Sequence, residues 1–247
     1  MAGLLEGRVV LVTGGSRGLG RAMVEVFARE GATVAFNYAR NEDDAAATVA
    51  AVSAAGGRVQ GFRCSVTDRA GLRDMVKKVE QDLGPIDALV NNAGVGQVLP
   101  LALMEEEDWD RMLDIHVKGA FLTTQAVLRG MIRRRRGSIL NVTSLAGVRM
   151  IKAPVHYCTA KAALRGFTES LAKEIGKYGI TVNAIAPGLL DEGVADNIPA
   201  DHKEEYVTFC ALGRIGTCAE IAELAAFLVS ARNSYMNGAT VLADGGV

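Results

Sequence analysis

Tyr157 and Lys161 stand four residues apart in a stretch expected to be helical, which places both side chains on one face. Ser144 closes a predicted strand 13 residues before Tyr157. Reducing a carbonyl group requires a proton donor, a group that polarises the oxygen and a hydride source. A free tyrosine has a pKa of about 10, and a neighbouring ammonium lowers it by stabilising the phenolate. The three residues together indicate carbonyl chemistry, whereas a Tyr–Lys pair alone is also common on exposed helices.

A glycine-rich turn follows the first predicted strand and leads directly into a helix. It reads Thr13-Gly14-Gly15-Ser16-Arg17-Gly18-Leu19-Gly20. Glycines in such a turn let the backbone approach a pyrophosphate, and the helix N-terminus adds free N–H groups and the positive end of its dipole. A tightly packed structural turn is the alternative, but the strand–turn–helix context at the first β-α junction favours dinucleotide binding.

The end of the second predicted strand bears on the choice between NAD and NADP. NAD-binding folds place an acidic residue about 20 residues past the glycines, where it binds the ribose 2′-hydroxyl. Here Tyr38 stands 18 residues after Gly20, and no carboxylate occupies that place. Arg17 and Arg40 could pair with a 2′-phosphate, which favours NADP(H). The acids at residues 42–44 weaken this argument.

Short apolar runs alternate with helical stretches along the chain. The strand runs mostly lack polar alternation, as expected for strands covered on both faces. The pattern predicts an α/β fold in one domain over residues 1–247, a doubly wound parallel sheet with helices on both faces. The predicted strands are residues 9–12, 33–38, 59–63, 88–91, 138–143, 181–186 and 240–243, and the predicted helices are residues 19–30, 42–55, 69–83, 107–135, 156–178 and 219–231.

Composition excludes several classes of protein. With 27 Lys+Arg against 28 Asp+Glu, the net charge of −1 argues against a dedicated nucleic-acid binder. No apolar run is long enough for a membrane span, and the N-terminus does not resemble a signal peptide. The four cysteines form no C-x-x-C pair and no metal-ligand spacing, as expected for idle thiols in a reducing cytosol. We therefore expect a cytoplasmic protein without a metal site.

Residues 188–209 interrupt the alternation with a polar, weakly periodic segment. Six acids and one lysine lie between Gly188 and Tyr206. The segment follows a strand end, where ligands bind in such sheets, so we interpret it as a substrate lid; a solvated surface excursion is the alternative. The acids are Asp191, Glu192, Asp196, Asp201, Glu204 and Glu205, and the lysine is Lys203.

The sequence resembles the short-chain dehydrogenase/reductase family over essentially its whole length. The resemblance implies a Rossmann-like sheet of about seven strands in the order 3-2-1-4-5-6-7, and usually a homotetramer. It rests on residues 13–20, Asn91-Asn92-Ala93-Gly94, Ser144, Tyr157 with Lys161, Pro187-Gly188 and Asp244-Gly245-Gly246.

The same resemblance implies a role for each site residue. Tyr157 would be the general acid, Lys161 would lower the pKa of Tyr157 and bind the nicotinamide ribose, and Ser144 would orient the substrate carbonyl. Thr13 would brace the glycine turn, and Asn91 with its neighbours would shape the floor of the cofactor site. The implied cofactor-binding residues are Gly14, Ser16, Arg17, Gly18, Leu19, Gly20, Tyr38, Arg40, Ser65, Val66, Asn91, Ala93, Gly94, Tyr157, Lys161, Pro187 and Gly188.

Two positions depart from the family pattern. His116 stands where the family usually has an Asn whose backbone carbonyl holds a water linked to Lys161. His116 could keep that backbone role, and it could titrate near neutrality and join the proton relay, so it is a fourth candidate catalytic residue. Impaired turnover is the alternative. Ser65 stands where an Asp usually binds the adenine amino group, and its hydroxyl can accept the same bond more weakly.

Within the family, the sequence is most similar to 3-oxoacyl-(acyl-carrier-protein) reductases. That implies NADPH-dependent reduction of a 3-oxoacyl thioester, carried by acyl carrier protein or CoA, in fatty-acid or polyketide-type synthesis. The four arginines at residues 133–136 could steer an acidic carrier protein or simply end a helix. A reductase of a free small ketone and a non-catalytic subunit of a hetero-oligomer are the alternatives. The similar segments are residues 16–18, 37–40, 179–183 and 213–216.

Overall fold

A seven-stranded parallel sheet forms the centre of the chain in a computed structural model that describes residues 3–193 and 198–247. The strand order is β3-β2-β1-β4-β5-β6-β7, so the predicted order and fold class are confirmed. The strands are Val9–Thr13 (β1), Thr33–Tyr38 (β2), Arg58–Arg63 (β3), Ile86–Asn91 (β4), Gly137–Val142 (β5), Ile180–Pro187 (β6) and Thr240–Ala243 (β7).

Helices cover both faces of the sheet. The larger ones are Gly18–Arg29 (α1), Glu42–Ala54 (α2), Arg69–Asp82 (α3), Glu106–Leu113 (α4), Gly119–Arg134 (α5), Val155–Ile175 (α6), Ala200–Phe209 (α7) and Cys218–Val229 (α8). One buried apolar cluster joins α1, α2 and α8 to the sheet, and a second joins α3, α5 and α6 to its other face. The central strands β1 and β4 are buried at every position, which explains their apolar runs without alternation.

The chain builds the sheet outward from β1 in both directions. Strand β1 pairs with β2 on one side and with β4 on the other. The carboxyl ends of β1 and β4 therefore flank the point where the strand order reverses, and ligands of open α/β sheets bind in that crevice. Short connections place the glycine turn, residues 92–95 and Ser144 along the same edge.

Two predicted elements differ from the structure. The long helix predicted over residues 107–135 is divided by a π-helical turn, Asp114–Lys118, between α4 and α5. The acidic segment predicted to be irregular contains a ten-residue helix, α7. Within the described residues, no helix has both the length and the apolar character required to cross a membrane.

Candidate active site

The glycine turn after β1 has the geometry of a cradle for a phosphate group. Gly14 has a φ of +68°, and a Cβ there would lie 2.9 Å from the Cα of Ala93. A Cβ on Gly20 would overlap the carbonyl oxygen of Gly14. Helix α1 begins at Gly18 without a side-chain cap and with no acid in its first turn, so its N–H groups and dipole face the turn unopposed. These features fit a dinucleotide, because close backbone approach and free N–H groups are what a pyrophosphate requires.

Thr13 and Asn92 join the glycine turn to the segment after β4. The Oγ1 of Thr13 accepts hydrogen bonds from the backbone N–H groups of Asn92 and Ala93, both at 2.9 Å. The Nδ2 of Asn92 donates to the carbonyl oxygens of Thr13 at 2.9 Å and Gly14 at 3.2 Å. The two loops therefore form one rigid unit along the edge of the sheet.

Asn37 also holds the glycine turn, and sequence analysis did not single it out. Its Oδ1 accepts from the N–H of Gly14 at 3.2 Å, and its Nδ2 donates to the carbonyl of Cys64 at 2.6 Å. The side chain thus ties the turn to the end of β3. An amide within an otherwise apolar buried strand was the available signal.

The side chain of Asn91 faces the core. Its Nδ2 donates to Thr124 at 3.0 Å and to the Oδ1 of Asn141 at 2.8 Å, and Asn141 donates to Thr168 at 2.9 Å. This buried network links β4 and β5 to α5 and α6. The Asn91 side chain is thus bound within the core, and its place in a cofactor site stays a prediction.

The residues expected to surround the adenosine half of the cofactor lie in the glycine turn and at the ends of β2 and β3. Tyr38 is half-buried, whereas Arg17 and Arg40 are exposed and form no ion pair with any described residue. The Oγ of Ser65 lies 2.9 Å from the Oγ1 of Thr67 and accepts from the Thr67 N–H. Val66 is buried against Gly119 at the start of α5.

Ser144, Tyr157 and Lys161 come together at the carboxyl end of β5. Ser144 begins the loop after the strand, and the other two lie in the first two turns of α6. Lys161 is buried, its Nζ donates to the carbonyl of Val142 at 2.9 Å, and the same nitrogen lies 5.6 Å from the ring centroid of Tyr157. The Oγ1 of Thr143 donates to the carbonyl of Lys161 at 2.6 Å, which holds α6 against the strand.

Burial dominates the electrostatics of this group. It lowers the pKa of Lys161 to about 7. It also raises the pKa of Tyr157, and a hydrogen bond with Ser144 opposes that rise. The sequence-based expectation of a net lowering of the Tyr157 pKa is therefore not met, because the cost of burying the phenolate outweighs the stabilising contacts.

The expectation that His116 titrates near neutrality is wrong. The side chain is only 2% exposed, and burial together with the charge of Lys161 lowers its pKa to about 3. Its ring instead contacts Tyr157 edge-on, with centroids 5.7 Å apart and planes at 89°.

The acidic segment lies across the carboxyl ends of β6 and β7. The N–H of Gly188 donates to the carbonyl of Ala243 at 2.9 Å, next to the end of β6 at Pro187. Tyr206 on α7 donates to the carbonyl of Asp244 at 2.9 Å, and neighbouring Glu205 pairs with Lys152 at 3.5 Å. A Cβ on Gly18 would lie 3.2 Å from the Cα of Gly193, so the segment reaches the glycine turn. Asp196 lies outside the described residues, and the role of this segment as a lid stays a prediction.

The arginine run, residues 133–136, lies at the amino ends of the strands, opposite the edge that carries Ser144, Tyr157 and Lys161. Arg134 donates to the carbonyl of Ile86 at 2.5 Å, and Arg136 pairs with Asp87 at 2.7 Å. Ile86 and Asp87 are the first two residues of β4, at the amino end of the strand. Ser144 follows the carboxyl end of β5, so the arginine run lies about 20 Å from it along the strand direction. This placement favours the structural interpretation of the run.

The doubly wound sheet and the glycine turn after β1 define a Rossmann-like dinucleotide-binding fold. The group of Ser144, Tyr157 and Lys161 lies at the same edge of this sheet as the glycine turn. A family model described as short chain dehydrogenase matches residues 8–203, so the chain belongs to the short-chain dehydrogenase family. Membership of this family supports a nicotinamide cofactor for the chain.

Named relatives and solved structures share the fold over nearly the full chain. The 3-oxoacyl-(acyl-carrier-protein) reductase FabG of Thermotoga maritima is 38% identical over 98% of both chains. A 3-oxoacyl-(acyl-carrier protein) reductase of Brucella melitensis with bound NAD is 34% identical, with a TM-score of 0.91 over 100% of this chain and 93% of that one. A gluconate 5-dehydrogenase of Burkholderia cenocepacia in complex with NADP and tartrate is 32% identical, with a TM-score of 0.91 over 98% and 95%.

Proposed function

We propose that the chain reduces the 3-oxo group of an acyl thioester to the 3-hydroxyacyl thioester, with NADPH as the reductant. The observation that carries the proposal is the group of Ser144, Tyr157 and Lys161 at the edge that also holds the glycine cradle. The similarity to named 3-oxoacyl-(acyl-carrier-protein) reductases over 98% of the chain supports the choice of substrate.

The three side chains divide the work on the substrate oxygen. The nicotinamide, when bound, supplies the hydride. Ser144 donates a hydrogen bond that orients and polarises the carbonyl, and Tyr157 gives its hydroxyl proton to the oxygen as negative charge develops there. The Lys161 ammonium stabilises the resulting phenolate until a proton from solvent restores the hydroxyl. Burial of Lys161 excludes water from the ammonium and strengthens this attraction.

The protonation of Lys161 should determine how the rate of reduction depends on pH. Because its pKa is about 7, the ammonium is present below neutrality and is lost as the pH rises through that value. The rate of reduction should fall along a limb centred near pH 7. Lys161→Arg, whose guanidinium keeps its charge, should retain a residual rate without that limb. Steady-state kcat measured from pH 5 to pH 9 checks this, and an unchanged limb in the variant would assign it to another group.

The preference for NADPH rests on Arg17 and Arg40. Both are exposed and unpaired within the described residues, and they flank the end of β2, where Tyr38 replaces the usual acid. Replacing both arginines by alanine should weaken NADPH binding by about 10- to 100-fold, as expected for lost charge-assisted hydrogen bonds. NADH binding should change little. Fluorescence titration with each cofactor gives the two dissociation constants, and parallel weakening of both would remove the arginines from 2′-phosphate recognition.

Substrate competition tests the proposed reaction itself. We expect a higher kcat/KM with acetoacetyl thioesters, presented on CoA and on acyl carrier protein, than with free ketones of similar size. The similarity to a gluconate 5-dehydrogenase makes a free polyol-derived ketone the second candidate. A higher kcat/KM with 5-ketogluconate than with either thioester would establish that alternative.

Assembly into a homotetramer stays a prediction, with one supporting observation. The π-helical turn, α5 and α6 share an apolar surface strip that includes Val117, Phe121 and Ala163, and Phe121 is 41% exposed. A second copy of the chain is the occupant that we expect for this strip.

A further inference from the structure

His116 is buried at the edge of the sheet that carries the glycine turn and Ser144, Tyr157 and Lys161. It lies in the π-helical turn Asp114–Lys118, and its ring is buried. A Cβ on Gly94 would overlap the imidazole, so the glycine provides the space that the ring fills. The ring is therefore packed between the segment after β4 and the start of α6.

One ring nitrogen of His116 holds the backbone of Val95. Its Nε2 lies 3.1 Å from the N–H nitrogen and 2.9 Å from the carbonyl oxygen of Val95. A single nitrogen accepts from the first in one neutral tautomer and donates to the second in the other. In either tautomer, the neutral ring fastens Val95 to the π-helical turn.

The segment of residues 92–95 is thus held at both ends. Thr13 on β1 accepts the N–H groups of Asn92 and Ala93, and His116 binds Val95. This segment borders the glycine cradle on one side. On the other side, the His116 ring makes its edge-on contact with the ring of Tyr157, with the two planes at 89°. One side chain therefore connects the cofactor side of the site to the ring of the proposed proton donor.

The surroundings of His116 oppose a charged imidazole. Burial is the main cause that lowers its pKa, and repulsion from Lys161 and His156, both on α6, adds to it. The hydrogen bond with the Val95 backbone acts in the opposite direction but does not offset these effects. The Nδ1 atom is buried without a partner among the described residues. A ring that stays neutral between pH 5 and pH 8 cannot pass a proton by changing its charge in that interval.

We propose that His116 is a positioning residue that fastens Val95 to the π-helical turn and orients Tyr157, and that it carries no proton in the reaction. This inference rests on the proposed function for its effect on turnover. Its effect on the segment at residues 92–95 does not depend on the substrate.

Two variants of similar size separate positioning from proton transfer. His116→Leu fills the space without a polar atom and leaves Val95 unpaired, whereas His116→Gln restores an amide that can bind the Val95 backbone. We expect the Leu variant to lose about tenfold in kcat and to raise the cofactor dissociation constant, as befits a buried backbone group without a partner. The Gln variant should recover most of both losses and keep the pH limb near neutrality.

Each outcome of this comparison decides the matter. A Gln variant no better than the Leu variant, or a limb near pH 7 that both variants lose, would overturn the proposal. Thermal melting identifies a Leu variant that fails to fold, and the Gln variant then carries the test alone. The cofactor dissociation constants measured by fluorescence need no substrate. The wild-type protein could therefore show no turnover while cofactor binding is weakened by His116→Leu and restored by His116→Gln. That result would reject the proposed reaction and retain the positioning role.

Discussion

Tyr157→Phe should lose about 10²- to 10⁴-fold in kcat, the usual contribution of a positioned general acid. The substitution removes only the hydroxyl. The ring keeps its contacts with His116 and with the Lys161 ammonium, so the packing of α6 is retained. The dissociation constant for NADPH should stay within about twofold of the wild-type value, because the hydrogen bond that is lost joins Tyr157 to Ser144, which we propose binds the substrate.

Tyr178→Phe is the matched control for this prediction. Tyr178 lies just beyond the far end of α6, where its ring contacts Arg135 and Lys177. Loss of that hydroxyl should leave kcat unchanged. A Tyr157→Phe protein that turned over at a rate close to wild type would remove Tyr157 from the proton-donor role.

Gly20→Ala should weaken cofactor binding strongly. The new Cβ would overlap the Gly14 carbonyl oxygen and lie 2.6 Å from the Nδ2 of Asn92, so the glycine turn must open. Overpacking of this kind costs about 1–3 kcal/mol, which corresponds to roughly a 5- to 150-fold weaker binding if the cost falls on the bound conformation. Fluorescence titration with NADPH measures the change.

Gly166→Ala provides the matched control on α6. Gly166 is also a helical glycine, but nothing lies within 4 Å of the position of its Cβ. Alanine should stabilise that helix by up to about 1 kcal/mol and leave cofactor binding intact. If the Gly20 variant bound NADPH as tightly as the Gly166 variant, the turn would not be the pyrophosphate site.

The fold was predictable because its signals are local. Short runs, most of them apolar without alternation, marked all seven strands, and the glycine turn occupies the strand–helix junction that the pattern indicated. The spacing of Tyr157 and Lys161 predicted their common helix face. The strand order and the roles of the site residues came from family resemblance, because neither periodicity nor spacing specifies which strands are neighbours.

The features that sequence analysis missed depend on tertiary contacts. The π-helical turn at Asp114–Lys118 lies inside a continuous helical pattern, and its position is tied to the burial of His116 against Gly94. Asn37 acts through partners on other strands, which its neighbours in sequence do not reveal. The pKa expectations for Tyr157 and His116 were wrong, because burial of each ring outweighs the hydrogen bond that favours its charged form, and spacing carries no measure of burial.

Hydride transfer to the 3-oxo carbon is the central claim, and isotope transfer tests it most directly. The protein is incubated with acetoacetyl thioester and NADPH that carries deuterium on the transferable position of the nicotinamide, and the product is examined by mass spectrometry. We predict a 3-hydroxybutyryl thioester with a single deuterium at C3, formed by the wild-type protein and lost in step with activity in Tyr157→Phe. Oxidation of the cofactor without deuterium in the thioester, or binding of NADPH with no product from any acyl thioester, would contradict the account.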